Sequence, residues 1–133
     1  MQMSFGTLEL AERLKRDNIL MKIDALIDWE ELRPKLRGLY KRELSHGGGQ
    51  EPFDALMMFK AILLGQWHSL SDAALEQALS VRIDFLQFCG LSLSDAIPDE
   101  TTLCRFRNRL VTGDRLDDLL ASINEQLQSH GLM

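Results

Sequence analysis

Apolar positions along this chain recur at helical spacing almost throughout. Over 8–27, Leu8, Leu14, Ile19, Ile23, Leu26 and Ile27 fall on helical repeats, with Asp17 or Asn18 available to cap a second segment. "DWEE" at 28–31 has the spacing of a capping box, and Trp29, Leu32, Leu36, Leu39 and Tyr40 follow it. Pro34 breaks that run, which predicts a short turn and a restart. "FDALMMFKAILLGQW", 53–67, is apolar on every side and is expected to open at Pro52. A helix without a polar face belongs in the middle of a bundle, and Met57 and Met58 read as core. Ser71 caps "DAALEQALS". A short helix over 82–88 stops at Gly90, and 95–98 is loop. Asp99 caps the next helix, Gly113 ends it, and Asp114 is expected to cap a last helix with Leu116, Leu119, Leu120, Ile123 and Leu127 on one face. No alternation long enough for a strand occurs. The fold class is all-α: a compact multi-helix bundle around the helix near 53–67, one domain over 1–133, with a possible subdivision at the glycine-rich loop 45–52.

Length and composition fit that reading. A chain of 133 residues, 45% hydrophobic and 26% charged, supports one modest core. No run approaches the roughly 18 apolar residues of a membrane span, and the N-terminus lacks the apolar stretch of a signal peptide. Two isolated cysteines, Cys89 and Cys104, suggest no disulfide framework. A cytoplasmic setting is expected.

Charge changes the picture more. The net charge of −5 opposes nucleic acid, yet it is unevenly spread. Residues 33–42, "RPKLRGLYKR", carry Arg33, Lys35, Arg37, Lys41 and Arg42 with no acid. "RFRNR", 105–109, carries three more arginines. Local basic faces bind phosphate even on an acidic protein.

The arginines of 105–109 divide by direction. With Leu103 at the origin and about 100° per residue, Phe106 and Leu110 lie within about 60° of it, and these three define the inner face. Arg105, Asn108 and Arg109 then point away, with Thr101, Thr102 and Thr112 nearby. Arg binds guanine and phosphate through paired N–H groups, and Asn pairs with adenine, so this face has the chemistry of a helix in a DNA groove. Arg107 falls at about 40°, inside the apolar stripe. An inward guanidinium needs a carboxylate, and Asp72 is favoured over Asp95 and Asp99. About twenty residues separate "SDAALEQALS" from "DETTLCRFRNRL", too many for a compact helix-turn-helix.

Catalytic chemistry is poorly represented. His46, His68 and His130 lack metal-ligand spacing, and "GGG" lacks the strand and Lys-Ser/Thr of a phosphate loop. No enzyme active site and no cofactor are expected within this chain.

"WHSLSDAALEQAL", then "FLQFCGL", then "PDETTLCRFRNRL", together with "IDALIDWEELRPKL" upstream, resembles the N-terminal helical domain of bacterial insertion-sequence transposases of the IS-five group. The matching positions are Leu70, Ser71, Asp72, Phe88, Gly90, Leu91, Pro98, Asp99, Thr101, Thr102, Phe106, Arg107 and Leu110, within a resemblance running from about Phe5 to Met133. "GGGQEP" departs from the family's pattern by lacking an arginine before the proline. In that family the domain precedes an RNase-H-like catalytic domain with an Asp-Asp-Glu metal site, which would use magnesium. The chain stops at "SHGLM", where the first catalytic carboxylate is expected to lie beyond. The resemblance therefore implies a non-catalytic DNA-binding and assembly domain that recognises terminal inverted repeats in the bacterial nucleoid. Its other expected partners are a second copy or the transposase catalytic domain. The alternative is a dimerisation module, resting on the acidic balance and the Leu116–Leu127 stripe, even a truncated, dominant-negative relative.

Overall fold

The structure, a computed structural model, describes residues 18–38 and 53–131. Those residues form seven α-helices and no strand: α1 (Ile19–Leu26), α2 (Arg33–Leu36), α3 (Ala55–Trp67), α4 (Asp72–Val81), α5 (Ile83–Cys89), α6 (Glu100–Thr112) and α7 (Leu116–Ser129). A single 3-10 turn, Trp29–Glu31, links α1 to α2. The loop 45–52 and the chain before Asn18 lie outside the described residues.

Helix α3 occupies the centre and packs against α2, α4, α5 and α6. Its interior residues Met58, Phe59, Leu63 and Leu64 are fully buried, as a helix with no polar face requires. Around it, α1 packs on α5 and α7, while α6 packs on α4 and α7. No helix among the described residues is long and apolar enough to cross a membrane.

Most helix starts follow local chemistry. The side chains of Asn18, Ser71 and Asp99 accept the backbone N–H of Leu20, Ala74 and Thr102 respectively. Three expectations need correction. Helix α3 begins at Ala55, because Asp54 caps it through the Met57 N–H at 3.1 Å, so the start lies beyond Pro52. Asp28 makes no side-chain cap. Its own N–H instead donates to Gln126 Oε1 at 2.7 Å, and Gln126 Nε2 reaches Glu31 at 3.2 Å, so α7 draws both ends of the would-be capping box away. Asp114 does not cap α7. It takes the left-handed conformation at φ 54°, and the Arg115 N–H returns to Leu110 O at 2.9 Å, a Schellman closure of α6 with Asp114 at the position glycine usually fills.

The leucine stripe of α7 is covered by this domain. Leu119, Ile123 and Leu127 are buried in the shared core, with Leu116 and Leu120 packed against it. Polar contacts clip α7 to the 28–38 segment at both ends: Gln126 as above, Lys35 to Asp118 at 3.1 Å, and Arg115 Nη1 to Arg37 O at 2.6 Å.

One cation is built into the α1–α3–α5 contact. Lys60 Nζ meets Asp24 Oδ1 at 2.7 Å and lies 4.4 Å from the Trp29 ring centre and 5.1 Å from that of Phe88. Nearby, Arg82 grips Asp84 with both prongs, at 3.0 and 2.6 Å, and covers the Phe85 ring at 4.0 Å.

Candidate nucleic-acid interface

Helix α6 carries the cluster. Leu103, Phe106 and Leu110 are fully buried, which fixes the rotation of the helix about its axis. The opposite side presents Thr101, Arg105, Asn108 and Thr112, all exposed, in a straight stripe of i, i+4, i+7 and i+11. Asn108 Nδ2 sits 3.7 Å from Cys104 Sγ and is otherwise open to solvent. Arg105 lies close enough to Asp99 for its charge to act there. The Thr102 N–H, first, then the Thr102 hydroxyl and the Arg105 charge hold the Asp99 carboxyl below its usual range.

Two of the expected contact residues sit at the margin. Thr102 and Arg109 are half-buried. Thr102 is engaged by Asp99, and Arg109 interacts within the chain.

Arg107 faces the protein and is paired with Asp72. Both terminal guanidinium nitrogens donate to the two carboxylate oxygens, the second at 2.8 Å. The pair is not enclosed in the apolar stripe, as its angle on the helix suggested. The Arg107 side chain is 38% exposed and that of Asp72 21%. Asp72 stands at the very start of α4, at the edge of the bundle, so the guanidinium extends outward to meet it. Hydrogen bonding to Asp72 raises the Arg107 pKa further. Beside the pair opens a cleft of about 310 Å³ lined by Ile62, Gly65, Gln66, Leu70, Leu75 and Leu116.

The second basic region is largely neutralised where it is described. Arg33 pairs with Glu30 at 2.8 Å and with Asp54 at 2.9 Å, and Asp54, then Glu30, raise its pKa. Lys35 is held by Asp118. Arg37 is exposed, and its carbonyl anchors Arg115. Lys41 and Arg42 lie outside the described residues. Phosphate would therefore have to compete with carboxylates already in place at Arg33 and Lys35.

Two polar residues escaped the sequence reading. Glu76 on α4 accepts the backbone N–H of Glu100 at 2.7 Å, supplementing Asp99 at the start of α6. Arg115 ties the α6–α7 junction to α2. Glu76 follows Asp72 by one helical turn, and that spacing was the available signal. Arg115 had none, because its acceptors are backbone carbonyls.

Among the described residues no group of three or more His, Cys, Asp or Glu side chains is placed to hold a metal ion.

Residues 8–109, most of the chain, match the transposase domain family DUF772, and the chain belongs to that family. The match ends within α6, so α7, which closes the core, lies beyond it. No solved structure matches the chain. Family membership supports a role in transposition.

Proposed function

We propose that this chain is the DNA-recognition domain of an insertion-sequence transposase of the IS-five group. In this reading it binds the terminal inverted repeats of its element and leaves strand cleavage to a separate catalytic domain of the parent enzyme. The observation that carries the reading is the outward stripe Thr101–Arg105–Asn108–Thr112 on α6, held in place by a fully buried opposite face. Arg and Asn with flanking hydroxyls suit base edges and phosphates, and a helix is the element that fits the major groove. Arg105 and Asn108 are the central contacts. Thr101 and Thr112 are phosphate donors, and Arg109 and Thr102 contribute at the flank. Arg37, with Lys41 and Arg42, supplies the sequence-independent part, and Arg33 and Lys35 supply less because carboxylates already hold them.

The alternative, a self-association module, drew on the α7 leucine stripe. That stripe lies against this domain's own core, so it lends the alternative no support, and the acidic balance of the chain is what remains for it. A second copy, or the catalytic domain, would meet the domain elsewhere.

The test is fluorescence anisotropy of the full chain on a duplex that it enriches from a randomised library, against a scrambled duplex, across a salt series. If Arg105 contacts phosphate, Arg105→Ala lowers the slope of log affinity on log salt by about 0.9. If it contacts a base, the loss is about 1–3 kcal/mol with relaxed preference at one base pair. Asn108→Ala costs sequence preference and leaves the slope unchanged. Both variants keep the parent's melting temperature. Parent-like binding by both returns this face to solvent and overturns the reading.

A further inference from the structure

Helices α4 and α6 are joined by two kinds of contact. Leu75 and Leu79 share the core with Leu103, Phe106 and Leu110. Apolar contact of this kind is strong but non-directional, and it tolerates small rotations and slides. Beside it run two polar rungs. Asp72 takes the guanidinium of Arg107, and Glu76 takes the backbone N–H of Glu100 at 2.7 Å. Asp72 and Glu76 are one turn apart on α4, while Arg107 and Glu100 are two turns apart on α6. The order is reversed between the helices, so they run antiparallel and the rungs grip α6 near its middle and at its first turn.

Each rung restricts a different motion. A guanidinium–carboxylate fork is planar and two-pronged, so it resists rotation of α6 about its axis. A hydrogen bond to the first-turn N–H resists sliding along the axis, because that group cannot swing independently of the helix. Arg107 stands in sequence between Arg105 and Asn108, the two central residues of the outward stripe.

We propose that Asp72 and Glu76 are positioning residues for sequence readout: they set the rotation and axial register of α6 so that Arg105 and Asn108 meet base edges in one orientation. This role rests on the DNA reading of α6. Readout of base edges demands placement within about 0.5 Å and 10–20°, supplied by supporting hydrogen bonds behind the contact residues. Both rungs are partly open to solvent, where an ion pair or hydrogen bond adds little to stability. Their effect therefore falls on orientation more than on folding.

The experiment compares the unsubstituted chain with Glu76→Ala, Glu76→Gln and Arg107→Lys, using the enriched and scrambled duplexes across a salt series. Glu76→Ala removes one rung, and Arg107→Lys replaces the fork by a single point donor. Both are expected to reduce the preference for the enriched duplex several-fold with the salt slope unchanged, since no phosphate contact is touched. Glu76→Gln keeps an acceptor for the Glu100 N–H and should discriminate as the parent does. A merely structural role would weaken both duplexes alike and leave their ratio intact. If Arg105→Ala impairs binding while Glu76→Ala and Arg107→Lys keep the full ratio, the positioning role is overturned and the DNA reading stands. If the parent enriches no duplex, or Arg105→Ala and Asn108→Ala bind as the parent does, the DNA reading falls and this role falls with it.

Discussion

Arg107 and Asp72 meet as a two-pronged pair across 35 residues of sequence, with the arginine side chain 38% exposed and the aspartate 21%. That partial exposure sets the scale of its stability. A fully buried pair loses about 3–5 kcal/mol when one partner is removed, and an exposed pair about 0–1. Arg107→Ala is expected to cost about 1–2 kcal/mol, between those limits. Urea unfolding followed by circular dichroism measures it. A cost of about 3–5 kcal/mol, the buried range, would mean that the pair is shielded from water.

Lys60 and Asp24 form the more enclosed pair, with the lysine side chain only 11% exposed between two rings. The Asp24 side chain is 30% exposed, so removing the lysine leaves a carboxylate that keeps part of its water, and the lost ring contacts add to the cost. Lys60→Ala should destabilise by about 2–3 kcal/mol, between the exposed and buried limits and nearer the buried one. Lys60→Met with Asp24→Leu should lie close to the parent, because apolar replacement of both partners removes the desolvation cost. A double-mutant cycle in urea checks both, and a double variant no better than Lys60→Ala would contradict the argument.

Asp84 ties stability to acid pH. Burial pushes its carboxyl up, but the Arg82 hydrogen bonds and charge, the Phe85 N–H and the Asn18 side chain outweigh it and hold the group below its usual value of 3.8. A depressed native pKa means the unfolded chain binds more protons, so the contribution is complete above the usual value and is lost as pH falls through the native one. Asp54 and Asp99 shift the same way. Stability measured from about pH 5 downward should therefore fall less steeply in Asp84→Asn than in the parent, without becoming flat. Equal slopes would mean that the Asp84 carboxyl binds its proton alike in the folded and the unfolded chain.

The two thiols should differ in reactivity. Cys89 is buried, and burial, offset in part by the Lys60 charge and reinforced by Asp24, pushes its pKa up to about 12. Cys104 is half-exposed on α6. Because the thiolate is the reactive form, a disulfide reagent at mildly alkaline pH should titrate one thiol in the native chain and both after unfolding. Cys104→Ser should abolish the native reaction. Fast native labelling of Cys89 would require the α3–α5 contact to open.

The local architecture was legible in the amino-acid sequence because its causes act within about one turn of helix. Asn18, Ser71 and Asp99 cap groups two or three residues away. The all-round apolar character of 55–67 put α3 at the centre, and the spacing of Leu103, Phe106 and Leu110 turned Arg105 and Asn108 outward. Arg107 was inward by the same arithmetic, and Asp72 was a candidate partner because it begins a helix. Other features depended on which surfaces came together. Gln126 reaches Asp28 across 98 residues and dissolves a capping box that looks complete in isolation. Asp118 and Asp54 neutralise Lys35 and Arg33, so a run with no acid of its own is not a free basic face. Glu76 finds a backbone N–H that belongs to α6 only once α4 lies beside it. Periodicity and capping are properties of the chain itself, whereas a partner for a charge or an orphan N–H is chosen by packing, after apolar burial has decided which helices are neighbours.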